Sequence, residues 1–237
     1  MIAELHVDMT RLPKIAILMD ENTSSGGNKY EGNKNYFAAI DANGGMPLGV
    51  PYFSRTVSEV AAQFDGLLTC GGRFSYPAEW YSDGQASSAP SSDRFEIEAE
   101  LVVAFLALKK PVLGMCAGMQ MLAGLHGSKL AHSVSDVVAS PLEHDGPEVI
   151  HDITIEEQSL LRTLVGSSKL TVNSYHREAI SELGESTVAT AYSEDGVIEA
   201  IELDGHSFAL GLHWHQELHF GSSHIGNRVF QGFVEAC

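Results

Sequence analysis

The chain has 237 residues with 44% apolar side chains, enough for one sizeable α/β core or at most two small ones. Its 14 basic and 31 acidic residues give a formal charge of -17, which repels nucleic acid and anionic membrane surfaces and argues against both as partners. Three widely spaced cysteines without a C-x-x-C argue against a disulfide framework or zinc ribbon and suit a reducing cytoplasm. The start, MIAELHVDMTRLPK, lacks the pattern of a signal peptide, and no apolar run approaches the ~20 residues that span a bilayer.

Residues 1–13 read as a loose arm. Lys14 to Asp20, KIAILMD, is an apolar run ending in an acid, as an inner parallel strand would. A polar, glycine-rich loop covers 21–33. Asn35 to Ala42 has helical spacing and ends at Asn43-Gly44-Gly45. Met46 to Phe53 reads as a strand, Thr56 to Gln63 as a short helix, and Gly66 to Cys70 as a third buried strand broken by Gly71-Gly72. Residues 73–92 form an irregular loop over the C-terminal edge of the sheet, where open α/β sheets bind ligands. Asp93 is positioned to cap a long helix to Lys110, with an apolar stripe of Phe95, Leu101, Val102, Phe105 and Leu108. A strand at Pro111–Leu113 and a further helix complete four strand–helix pairs, which predicts a parallel sheet with helices on both faces.

After Gly127 the texture changes. Residues 128–148 are polar with one short strand. Strands follow at Val149–Ile155 and Leu170–Ser174, separated by a helix at Ser159–Val165. Val188–Ala191 and Val197–Leu203 form a hairpin about Glu194-Asp195-Gly196. Phe208–Trp214 is another strand, and Ser222–Glu235 a capped helix. No repeat or linker interrupts the chain, so 1–237 is read as one domain with a small antiparallel section in its C-terminal half.

The chemistry centres on PVLGMCAGMQMLAG, residues 111–124. G-x-C-x-G between a strand and a helix is the cysteine form of a nucleophile elbow. Small neighbours let strand and helix pass closely, and a helix N-terminus beneath the sulfur favours the thiolate. Such a cysteine needs a base and a group to orient that base. His215 stands two residues before Glu217, and in an extended segment i and i+2 share a side. Glu217 can hold one ring nitrogen while the other faces Cys116. His213, His215, His219 and His224 also cluster, but H-Q-E-L-H lacks the glutamate directly after the first histidine that a zincin site needs. No metal is therefore assigned, and His213 and His219 read as packed or solvent-facing. Acyl transfer also needs donors for an oxyanion. The amide of Ala117 is one. Gly71-Gly72 is either the second or a plain turn.

GLLTCGG (66–72), PVLGMCAGMQMLAG, LTVNSYHREAI (170–180), DGVIEAIEL (195–203) and LGLHWHQEL (210–218) together resemble the class I glutamine amidotransferase-like superfamily. They are most similar to its gamma-glutamyl-gamma-aminobutyrate hydrolases (peptidase C26 type) of polyamine, putrescine, breakdown. The resemblance implies a flavodoxin-like α/β fold with Cys116 as nucleophile, His215 as base and Glu217 as its partner. It implies an oxyanion hole at the Gly72 and Ala117 amides. It places Gln120, Ser174, Tyr175 and His176 around a gamma-glutamyl head group; Arg73 either pairs with a substrate carboxylate or is a solvent-facing loop arginine. The implied activity is cytoplasmic hydrolysis of a gamma-glutamyl amide to glutamate and amine through a thioester, without metal or other cofactor. The partner is a small-molecule substrate, and homodimer formation is compatible with the sequence. The alternative is a glutaminase subunit delivering ammonia to a synthetase. Gln216 stands where the family usually has proline, which loosens the backbone while keeping the spacing of His215 and Glu217.

Overall fold

The computed structural model describes residues 11–22 and 26–237; most of the expected N-terminal arm lies outside them. The first half runs β1 (Lys14–Leu18), a ribbon of β2 (Asp20–Glu21) and β3 (Tyr30–Glu31), α1 (Lys34–Ala42), β4 (Met46–Val50), α2 (Val57–Gln63) and β5 (Gly66–Thr69). It continues with α3 (Arg94–Ala107), β6 (Val112–Met115) and α4 (Ala117–Leu125). The second half holds β7 (Lys129–Ala131), β8 (Asp145–Ile155), α5 (Leu160–Val165), β9 (Lys169–Tyr175) and β10 (Ala179–Glu182). It ends with β11 (Thr187–Ser193), β12 (Ile198–Leu203), β13 (Ala209–Leu212) and α6 (Arg228–Glu235).

Nine strands form one sheet in the order β4-β1-β5-β6-β13-β12-β11-β8-β9. The five from β4 to β13 are parallel, and the remaining four extend the sheet antiparallel. The parallel strands are apolar on both faces because both are covered. Ala16, Leu18, Leu67 and Val112 join the core under α2, α3 and α4. Ile15, Ile17, Leu68 and Leu113 join the core under α1, α5 and α6. Each such fully buried aliphatic side chain contributes roughly 1.5–3 kcal/mol. The C-terminal ends of β5, β6 and β13 lie side by side, so Cys70-Gly71-Gly72, Cys116 and His213-Trp214-His215 emerge at one edge of the sheet.

The expected antiparallel section is thus continuous with the parallel sheet. β10, which pairs with β7, was not anticipated, since AISE has no long apolar run to mark it. At the start of α3 the cap is Ser92, whose Oγ accepts from Arg94 N at 3.1 Å, while the Asp93 side chain makes no capping bond. The terminal helix is shorter than expected: a 3₁₀ turn, Ile225–Asn227, precedes α6. Among the described residues, no helix is long and apolar enough to cross a membrane.

Candidate active site

Cys116 is the residue on which β6 turns into α4, and it takes φ 51° and ψ -105°, a conformation costly for a side chain with a Cβ. The crowding beneath it explains the neighbouring glycines. A Cβ on Gly118 would lie 2.2 Å from Thr69 Oγ1, and one on Gly114 would lie 2.6 Å from the Gly118 carbonyl carbon. The Ala117 amide at the first turn of α4 has no acceptor among the described residues.

His215, just past β13, borders the same cavity as Cys116, whose thiol points to the Tyr175 carbonyl at 4.0 Å. The His215 Nδ1 meets Glu217 Oε1 at 2.8 Å, which leaves Nε2 as the nitrogen available to a thiol. Burial disfavours the imidazolium, but the charge at Cys116 and its hydrogen bond, then Glu217, outweigh burial and push the pKa up to about 11. Asn173 fixes the backbone of this segment. Its Oδ1 accepts from His215 N at 2.9 Å, and its Nδ2 donates to His215 O at 2.8 Å. Cys70, at the end of the adjacent strand, is a contrast: full burial drives its thiol well above the ordinary range, so it is held as the neutral thiol.

The loop at Gly71-Gly72 is held by Arg94, which sequence analysis passed over. The guanidinium is fully buried, pairs with Glu98 at 2.6 Å, and donates to Cys70 O at 2.5 Å and Gly71 O at 2.9 Å. The two ends of a trans peptide point opposite ways, so anchoring the Gly71 carbonyl on Arg94 turns the Gly72 N–H away from it. Gly72 borders the cavity beside Cys116. Neither glycine has positive φ. They are needed for room: a Cβ on Gly71 would lie 2.4 Å from His215 Cε1, and one on Gly72 would lie 2.3 Å from Arg94 Nη1. The sequence signal was the R-x-x-x-E pair opening α3.

A cavity of about 390 Å³ opens over Cys116 and His215, within the ordinary range for small-ligand sites. Arg73, Gln120, Tyr175 and His176 border it. Gln120 Nε2 donates to His213 Nε2 at 3.1 Å, which ties the helix to the segment ahead of His215. Ser174 does not border the cavity. It is fully buried, and its Oγ bonds His144 Nδ1 at 3.0 Å, because alternation along β9 turns it away from the face that carries Tyr175. Glu178, not anticipated, borders the cavity and accepts from Tyr81 Oη at 3.0 Å and Ser87 Oγ at 3.1 Å.

Gln216 does not loosen the backbone here. Its Oε1 accepts from Trp214 Nε1 at 2.9 Å and its Nε2 donates to Asn227 Oδ1 at 3.0 Å, so side-chain bonds brace the segment where the family's proline would stiffen it.

The peptidase C26 family model matches residues 13–217. A Rickettsia prowazekii protein named as glutamine amidotransferase-like is 30% identical, over 87% of this chain and 89% of that protein. The gamma-glutamyl-gamma-aminobutyrate hydrolase PuuD of Escherichia coli K12 is 27% identical, over 95% of this chain and 93% of its own. The crystal structure of a Thermoplasma acidophilum protein described as a GMP synthase subunit superposes with a TM-score of 0.66. It covers 96% of this chain and 94% of that one at 17% identity, and so speaks to the fold alone. Elbow, flavodoxin-like sheet and family match agree, and the chain belongs to the peptidase C26 family as a glutamine amidotransferase-like hydrolase.

Proposed function

We propose that the chain hydrolyses the amide of a gamma-glutamyl amine, gamma-glutamyl-gamma-aminobutyrate or a close relative, with Cys116 as nucleophile. The observation that carries this reading is the strained Cys116 at the turn into α4, sharing its cavity with an imidazole whose Nδ1 is held by a carboxylate at 2.8 Å. The likeness to PuuD supports the substrate class.

The thiolate attacks the gamma carbonyl, forming a C–S bond and an oxyanion that the Gly72 and Ala117 amides receive. His215, held by Glu217, gives its proton to the departing amine as the C–N bond breaks. The ring then takes a proton from water, which attacks the thioester and releases glutamate. At the head group, Arg73 makes no side-chain hydrogen bond of its own among the described residues and is free to pair with the α-carboxylate. Glu178 faces the α-ammonium, Gln120, Tyr175 and His176 line the same side, and Ser174 supports them from behind.

The test is a panel of gamma-glutamyl amines and glutamine, assayed by glutamate and amine or ammonia release with the purified chain. Turnover of gamma-glutamyl amines well above glutamine is expected. Turnover of glutamine alone would overturn the substrate in favour of the ammonia-delivering glutaminase.

A further inference from the structure

Behind the active-site cavity lies a second histidine–carboxylate centre for which the proposed hydrolysis has no use. Glu199 on β12 is completely buried, and both of its oxygens lack a hydrogen bond that meets normal geometry. Three imidazole nitrogens surround one of those oxygens. His144 Nδ1 stands 3.4 Å, His151 Nε2 3.3 Å and His176 Nε2 3.4 Å from Oε1. All three rings are at least nine-tenths buried, and neither nitrogen of His151 makes a hydrogen bond among the described residues.

These separations are too long for a charge-assisted N–H···O bond, which closes to about 2.7–2.9 Å. For His144 and His151 they match an edge of the tetrahedron about a zinc ion, since bonds of about 2.0–2.1 Å place neighbouring donors roughly 3.3–3.4 Å apart. The outer contacts fit as well. A metal-bound imidazole donates its remaining N–H to a carboxylate or carbonyl. His144 Nε2 lies 3.1 Å from Asp195 Oδ2, which leaves Nδ1 for the ion once the Ser174 hydroxyl, 3.0 Å from it, donates to His144 O instead. A carboxylate buried without close donors is costly, and one divalent cation satisfies it together with His151 Nε2.

We propose that His144, His151 and Glu199, whose ligand atoms all lie within 4.8 Å of one another, hold one divalent transition-metal ion of the zinc class. The ligand types suit zinc, an imidazole-binding ion with a tetrahedral preference, over calcium or magnesium, which take oxygen. The site is closed, with every donor buried, so its function is structural. It ties β8 and the segment leading into it to β12.

The test uses the Cys116→Ala chain, which removes a competing thiol. Metal-stripped protein is titrated with Zn2+ against a chromophoric chelator, and then with Co2+. One equivalent of zinc with a raised melting temperature is expected, with the intense visible absorption of tetrahedral Co2+. Glu199→Gln and His151→Gln should each weaken uptake at least 100-fold. Zinc uptake unchanged in both variants would overturn the proposal and move the binding to the stacked surface pair His219 and His224. No uptake by a chain whose fold is verified by circular dichroism would overturn it too, leaving a hydrogen-bonded cluster built on a protonated imidazole. The result stands or falls apart from the hydrolase reading, because it requires no turnover.

Discussion

Two histidine–carboxylate centres sit within one sheet and are built on opposite plans. At the edge of the parallel half, His215 has a single carboxylate at 2.8 Å and shares the cavity in front of it with the Cys116 thiol. In the antiparallel half, Glu199 is fully buried and has three imidazoles at 3.3–3.4 Å. The first geometry orients one ring and leaves it a proton to move. The second gathers donors around a point and leaves them unsatisfied. The same residue types therefore serve reactivity in one place and cohesion in the other, and what decides is distance and access.

The comparison breaks first, and most severely, at the sulfur. Cys116→Ala should lower kcat/KM roughly 10⁴- to 10⁶-fold on the best gamma-glutamyl substrate, while the melting temperature changes little. The same chemical change made in each centre sharpens it. Glu217→Gln should reduce kcat roughly 10²- to 10⁴-fold, because the imidazolium loses its orienting charge. Glu199→Gln should act chiefly on stability, by roughly 3–5 kcal/mol in denaturant unfolding, because it removes the shared partner of three buried rings. Equal effects of the two changes on kcat would erase the distinction.

A smaller effect is expected at the loop before the cysteine. Replacing Arg94 and Glu98 together, as Arg94→Met with Glu98→Leu, keeps the packing but frees the carbonyls of residues 70 and 71. The Gly72 amide then loses its aim, and kcat should fall roughly 10²-fold with KM nearly unchanged.

The charge state of His215 offers a spectroscopic test of the same contrast. Its folded pKa, about 11, lies above that of an unperturbed histidine, about 6.5. The pairing therefore contributes stability that is fully present below pH ~6.5 and is lost as pH rises towards about 11. In NMR the ring should stay protonated between about pH 7 and 9 and should titrate at lower pH in Cys116→Ala. His213, which burial holds well below the ordinary histidine range, should stay neutral throughout. The smallest effect belongs to Ser174→Ala. With its hydroxyl spent on His144, KM should move less than about twofold and stability by roughly 1 kcal/mol. A large rise in KM would return Ser174 to the substrate.

The parallel half was legible because its signals are local. KIAIL, GLLT and PVLGM are uninterrupted apolar runs, and the cysteine sits within five residues of the glycines that its turn requires. His215 and Glu217 were legible for the same reason, being two apart. What escaped is what the fold assembles from a distance. Arg94 meets the loop across 24 residues, and Asn173 reaches the His215 backbone across 42. The Glu199 cluster draws on the approach to β8, on β8 itself, on the exit of β9 and on β12, so no spacing announces it. Ser174 was misread for a related reason. Its motif neighbours Tyr175 and His176 do face the cavity, and strand alternation, which decides the matter, depends on where β9 ends.

The most direct test of the central claim is site-resolved alkylation. The chain is treated with substoichiometric iodoacetamide near neutral pH, and the modified residue is found by peptide mass spectrometry while activity is followed in parallel. Label should appear at Cys116 first, sparing Cys70, and residual activity should fall in proportion to it. Preferential labelling of Cys70 or Cys237, or full activity in a chain already alkylated at Cys116, would contradict the account.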